Sequence, residues 1–235
     1  MTGTLYGLGV GPGDPELMTL KTHRILKSTR IIAYPAPDTG PSFAREIAAE
    51  YIKPDTKEIP IIIPMRTIRF PAEEIYDQAA ETIAQHLDQG DDVAVLCEGD
   101  PFFYGSFMYL YARLNERYSV EVIPGVSSLM TCAAAFGRPL AARNDVLTII
   151  PAPLEPDQIR QQLEKTDAAA IIKIGRHYDK IYGLLEELNL LERSGYVERA
   201  SLPHQKVVRL SETNLEAAPY FSMILVYRGG EAWMS

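Results

Sequence analysis

The 235-residue sequence is poor in the side chains that build disulfide frameworks and metal sites: it has two cysteines, Cys97 and Cys132, and four histidines. Two cysteines cannot make a multi-bridge framework and stand at no metal-ligand spacing, so a reducing interior is the expected setting. His23, His86, His177 and His204 include no pair four residues apart on one helix face, so no metal site is expected. Basic charge is also in deficit, with 23 Lys+Arg against 31 Asp+Glu and a net charge of −8. Phosphate backbones and anionic membranes are bound by clustered Lys and Arg, so neither nucleic acid nor a membrane is the expected partner. Long hydrophobic runs are missing too. The most apolar stretch, Ile59 to Met65, is broken by Pro60 and Pro64 and falls far short of the ~20 residues that span a bilayer. The start, Met1-Thr2-Gly3-Thr4, lacks the basic and apolar segments of a signal peptide. A soluble cytoplasmic protein is the expectation.

The composition, 46% hydrophobic and 23% charged, is that of a globular chain long enough for one large domain or two ordinary ones. Short β-rich runs alternate with helical patterns along most of its length, the pattern of an α/β fold on largely parallel sheet. Strands are expected at Thr4–Gly9, Ile31–Tyr34, Val93–Cys97 and Val120–Ile123, with Pro35, Pro37 and Pro41 marking a loop after the second. Ile75, Ala79, Ile83 and Leu87 recur every four residues from Glu73 to Gln89, which predicts an amphipathic helix ended by Gly90. Between Gly137 and Asp145 the pattern lapses into polar, turn-prone residues, and the expected domain boundary lies there, giving domains 1–140 and 141–235. The second half continues with strands at Val146–Ile150 and Ala168–Ile174. Further strands near Tyr196–Ser201, Lys206–Leu210 and Phe221–Tyr227 crowd the carboxyl end and predict a mixed sheet.

Three loops follow predicted strands. Gly7-Leu8-Gly9-Val10-Gly11-Pro12-Gly13-Asp14 is the densest glycine cluster, yet its spacing fits neither a dinucleotide fingerprint nor a P-loop. It remains a backbone that something approaches closely at a strand's carboxyl end, where open α/β sheets place ligands. Glu98-Gly99-Asp100-Pro101-Phe102-Phe103-Tyr104-Gly105-Ser106 reads either as a plug for a small core or as an aromatic wall for a flat ligand whose polar parts Asp100 fixes. Ile123-Pro124-Gly125-Val126-Ser127-Ser128 puts two hydroxyls at a helix start, where they are caps or ligand contacts.

Taken together and in this order, G-x-G-P-G-D, the Gly-Asp-Pro loop and the Pro-Gly-Val-Ser-Ser turn make the chain resemble the tetrapyrrole methylase family over essentially its whole length. Leu5 to Glu16 and Glu98 to Tyr109 look most like the group that methylates C20 of precorrin-2 on the route to cobalamin. The resemblance implies two α/β domains with a cleft between them, S-adenosylmethionine as methyl donor, a small tetrapyrrole substrate and a homodimer. By position it implies donor contacts at Pro12, Gly99, Asp100, Pro101, Phe103, Tyr104, Gly105, Ser106, Ser127 and Ser128. It adds Ile174 on a second-half strand and Ala200 near the end of a later one.

Precorrin-2 carries many acetate and propionate groups, so this resemblance also implies a locally positive substrate site. Arg66, Arg69 and Arg176 are candidates to pair with them, and Gly11 and Asp14 to line the same site. Loss of a ring proton calls for a base, with Glu98, Asp14, Tyr104 and His177 as candidates of equal standing. The cobalt-loaded substrate, or another ring position, is the neighbouring alternative. Methylation of an RNA or protein fits the acidic balance and the aromatic loop less well, and a donor-sensing binding module would bind without turnover.

Overall fold

The computed structural model of the protein describes residues 2–64, 72–215 and 218–229. Its chain divides into two compact units, residues 1–127 and 128–235.

The first unit is a five-stranded parallel sheet with helices on both faces. In chain order it runs β1 Thr4–Gly9, α1 Leu20–Ser28, β2 Ile31–Pro37, α2 Phe43–Ala48, β3 Lys57–Ile63, α3 Ala72–Asp88, β4 Val93–Cys97, α4 Phe107–Leu114 and β5 Ser119–Ile123. The spatial order is β3-β2-β4-β1-β5. Because the sheet is covered on both sides, β4 is buried at every residue and reads as a continuous apolar run rather than an alternation. Val93, Val95 and Cys97 face a core with Ile83, Leu87 and Phe107; Ala94 and Leu96 face the opposite core with Ile25, Ala44 and Ile47.

Two proline-bearing stretches differ from the sequence expectation. The segment with Pro35 and Pro37 continues β2 instead of forming a loop, and β3 was not expected at all. The pairing explains both. β2 pairs with β4 only from Ile31 to Ala33, so beyond that point an N–H on the β4 side has no partner to lose. β3 is an edge strand, where Pro60 is tolerated because one side of the strand needs no donor.

The helix α1 is tied to the end of β1 by one buried bond: Thr22 Oγ1 donates to the Gly9 carbonyl at 3.1 Å. Thr22→Val keeps the shape and leaves that carbonyl unpaired, so urea unfolding is expected to show a loss of about 1–3 kcal/mol.

The second unit carries α5 Ser128–Phe136, β6 Leu147–Pro151, α6 Pro156–Glu164, β7 Ala168–Ile172, α7 Tyr178–Glu187, β8 Ser194–Glu198, β9 Lys206–Arg209 and β10 Ser222–Tyr227. Its sheet order is β6-β7-β10-β8-β9, with β6 and β7 parallel and the remaining pairs antiparallel, a mixed sheet. Helix α5 belongs to this unit because the Phe136 ring stacks on Tyr227 and lies over Gly195, where a Cβ would come within 2.5 Å of it. The division therefore falls ahead of the polar stretch from Gly137 to Asp145.

Strands β7 and β8 stop earlier than their sequences suggest. After Ile172, Lys173 turns left-handed at φ 59°, and after Glu198, Arg199 does so at φ 51°. Ile174 and Ala200 thus stand in turns just beyond their strands, not on them.

Candidate functional site

In the parallel sheet of the first unit β1 and β4 lie side by side. After β1 the chain crosses to β2, beyond β4; after β4 it crosses to β5, on the far side of β1. The loops leaving β1 and β4 therefore start at adjacent strand ends and run past each other at the carboxyl edge of the sheet, outside which open α/β sheets place ligands in a crevice. Here the two loops are joined across its floor: Gly99 N–H donates to the Gly11 carbonyl at 2.8 Å, and Gly11 N–H to the Gly99 carbonyl at 3.3 Å.

The third loop, after β5, packs into the same place without side chains between. A Cβ on Gly125 would lie 1.9 Å from the Gly99 carbonyl oxygen and 2.8 Å from the Gly9 Cα. Only glycine admits backbones this close, which is the physical reason for glycine at these strand ends.

Asp100 ties the arrangement together. Its Oδ1 accepts from the Phe102 and Phe103 N–H groups at 2.9 and 3.1 Å, and its Oδ2 accepts from Gly125 N–H at 3.1 Å. One carboxylate thus shapes its own loop and pins the loop after β5. The contrast with the other Gly-Asp-Pro is informative: Asp14 caps a single helical turn at Pro15–Leu17, with Oδ1 accepting from Glu16 N–H at 2.9 Å.

The aromatic run is not a core plug. Phe102 is 48% exposed and leans edge-on against Tyr111, while Phe103 and Tyr104 form a T-shaped pair with Tyr104 45% exposed. Tyr104 holds φ 55°, a left-handed backbone costing roughly 1 kcal/mol or more in a non-glycine residue, which tends to persist where a site requires it. Pro12, Gly11 and Pro101 are buried, Gly99 and Asp100 half-buried, Ser127 half-buried and Ser128 exposed at the start of α5. Gly105 lies against the Pro101 carbonyl, and the Ser106 side chain bonds to the Tyr76 phenol.

Glu98, directly after β4, is half-buried, and its carboxyl accepts from Ala44 N–H in the first turn of α2. Burial pushes its pKa above the ordinary carboxyl value, and that hydrogen bond opposes the shift. The Cys97 thiol beside it is pushed far up by burial and is an inert core group.

In the second unit Ile174 is fully buried in the core and Ala200 is buried, while Arg176 is exposed. Burial, with the charges of Lys180 and Arg176, lowers the His177 pKa, so this imidazole is neutral near pH 7. Sequence reasoning missed how the turn carrying Ala200 is held. Glu198 is buried, accepts from the Tyr196 hydroxyl at 3.0 Å and pairs with Arg199. Arg66 and Arg69 lie outside the described residues. Among the described residues no group of three or more His, Cys, Asp or Glu could hold a metal ion, and no helix is long and apolar enough to cross a membrane.

A parallel α/β sheet whose carboxyl-end loops are joined through glycine and fixed by one carboxylate defines a small-ligand-binding protein of the open-sheet class. More narrowly, the chain belongs to the tetrapyrrole (corrin/porphyrin) methylases, a family matched by residues 4–216. It is 39% identical over 97% of its length to the cobalamin biosynthesis protein CobIJ of Mycobacterium bovis, of which it spans 46%, about half. It is 38% identical to the precorrin-2 C(20)-methyltransferase of a Sinorhizobium species, over 95% of both chains. It is 31% identical to the cobalt-precorrin-2 C(20)-methyltransferase of Salmonella typhimurium, over 98% of this chain and 99% of that one. Among solved structures, it resembles uroporphyrin-III C-methyl transferase from Thermus thermophilus complexed with S-adenyl homocysteine. The TM-score is 0.69 at 25% identity, over 96% of this chain and 97% of the other.

Proposed function

We propose that this chain transfers a methyl group from S-adenosylmethionine to C20 of precorrin-2 in cobalamin biosynthesis, giving precorrin-3A and S-adenosylhomocysteine. The observation that carries this reading is the near full-length similarity, in both directions, to the Sinorhizobium precorrin-2 C(20)-methyltransferase. The crevice supports it, because its chemistry suits such a donor. Glycine at positions 9 and 125 lets the loops close on one another there, and Phe103 and Tyr104 form an aromatic pair on the same loop as Gly99. Gly99, Asp100, Pro101, Phe103 and Tyr104 would hold the donor, with Pro12, Ser127 and Ser128 around it.

S-Adenosylmethionine supplies an already activated methyl group. The chain's own task is alignment, which supplies roughly 7–11 kcal/mol of such a barrier. The rigid tie between Asp100 and the loops at Gly99 and Gly125 is the means of holding that alignment.

The cobalt-loaded ring is the second reading, favoured by the Salmonella relative, which is similar over its full length. Incubating the purified chain with labelled donor and each pigment separates the two. Turnover of metal-free precorrin-2 supports the first, turnover of the cobalt form alone the second, and transfer to neither contradicts both. We place the protein in the cytoplasm as a homodimer, which sedimentation would check.

Substrate carboxylates would pair with Arg176, together with Arg66 and Arg69. Arg176→Ala is expected to raise the KM for the pigment about tenfold, a loss of about 1.4 kcal/mol, with donor affinity unchanged. An unaltered KM would remove Arg176 from the substrate site.

A further inference from the structure

Glu98 stands apart from the other acidic and basic candidates in its placement. The side chains of β4 alternate between the two faces of the sheet, and Glu98, one residue past Cys97, falls on the face of Ala94 and Leu96, toward α2. There its carboxyl meets the Ala44 N–H. Among the described residues no ion pair engages it: Arg45, the next residue of α2, is committed to Glu58 by bonds of 3.1 and 2.9 Å. The backbone that follows is the crevice itself, with Gly99 bridged to Gly11 and Asp100 to Gly125.

A half-buried carboxyl held by one backbone donor and paired with no cation among the described residues, at the lip of a ligand crevice, is suited to carry a proton. The other candidates are placed differently. Asp14 caps the Pro15–Leu17 turn, Tyr104 is a half-exposed phenol, and His177 belongs to the second unit. The titratable neighbours that feel the charge of Glu98 are Cys97 and Tyr76, both pushed up by burial and neutral near pH 7. Neither competes as an acceptor.

We propose that Glu98 is the proton acceptor of the methyl transfer, an assignment that rests on the C20 reading above. In the balanced step the methyl carbon bonds to C20 as its bond to the donor sulfur breaks, the sulfide keeping that electron pair. The C20–H bond then breaks, its electrons return to the ring, and the proton passes to the Glu98 carboxylate.

Glu98→Gln isolates this role, since the amide oxygen still accepts from Ala44 N–H while the group can no longer take a proton. We expect kcat to fall about 100-fold or more, with the pigment KM and the affinity for S-adenosylhomocysteine unchanged, and with formate restoring part of the rate in Glu98→Ala. A merely structural role would not give that rescue.

A second readout is independent of turnover. The folded pKa of Glu98 lies above its unfolded value, so its charged form costs stability as pH rises through the folded pKa. Glu98→Gln should therefore melt above the wild type at neutral pH, the two converging below the unfolded carboxyl pKa. Wild-type kcat in Glu98→Gln, while the wild type still makes the C20-methylated pigment, overturns the assignment and leaves the function intact. A wild type that methylates neither pigment overturns the reading beneath it.

Discussion

Gly125→Ala is expected to yield a chain with no measurable affinity for S-adenosylhomocysteine and a markedly lower denaturant midpoint. The added methyl would sit 1.9 Å from the Gly99 carbonyl oxygen and within 2.9 Å of the Gly9 Cα and carbonyl carbon. All three are backbone atoms, so no side chain can swing away, and the loops after β1, β4 and β5 must part. Overpacking a fitted site costs about 1–3 kcal/mol or more, and parting the loops also loses the bond from Gly125 N–H to Asp100. Gly183 within α7 is the control, because nothing lies within 4 Å of its Cβ direction. Gly183→Ala should stabilise by about 0.5–1 kcal/mol through helix propensity, with binding untouched. Calorimetric titration with S-adenosylhomocysteine and urea unfolding read both, and wild-type affinity in Gly125→Ala would show that loop closure is unnecessary for binding.

Asp100→Asn should be almost as damaging, although it changes only one atom. Asp100 accepts three backbone N–H groups, two through Oδ1 and one through Oδ2. An asparagine has one acceptor oxygen. If that oxygen serves Phe102 and Phe103, the amide NH2 faces Gly125 N–H, donor against donor; if it turns to Gly125, two donors are orphaned. Either arrangement costs about 1–3 kcal/mol, and because the cost falls on the loop proposed to hold S-adenosylmethionine, we expect the affinity for S-adenosylhomocysteine to drop about 100-fold. Hydrogen exchange offers a local check. The amides of Phe102, Phe103 and Gly125 should exchange faster in Asp100→Asn, while those of β4 stay protected.

These two residues show what was legible in the sequence. Glycine clusters and the repeated Gly-Asp-Pro announce themselves locally, since a tight turn or close backbone approach demands particular residues at particular spacings. That Asp100 reaches Gly125, or that Glu98 meets Ala44, depends on the order β3-β2-β4-β1-β5, which brings together loops distant in the chain. No local pattern encodes that order. The amphipathic helix α3 was readable from its four-residue apolar spacing, whereas β3 was hidden by Pro60, whose tolerance follows only from the strand's edge position. The left-handed turns at Lys173 and Arg199 were invisible for a different reason. Glycine is the residue that signals such backbone, and neither position has it. The net charge of −8 shifts in meaning in the same way: it describes the surface sum, while a polyanionic substrate would be met by a few arginines such as Arg176.

The most direct test of the account is the position of the transferred methyl. The purified chain is incubated with precorrin-2 and S-adenosylmethionine carrying an isotopically labelled methyl, and the pigment is examined by carbon NMR. One labelled methyl is expected, bonded to the C20 meso carbon, with one equivalent of S-adenosylhomocysteine released. A label on any other ring carbon, or none on the pigment when the same preparation binds S-adenosylhomocysteine, would contradict it.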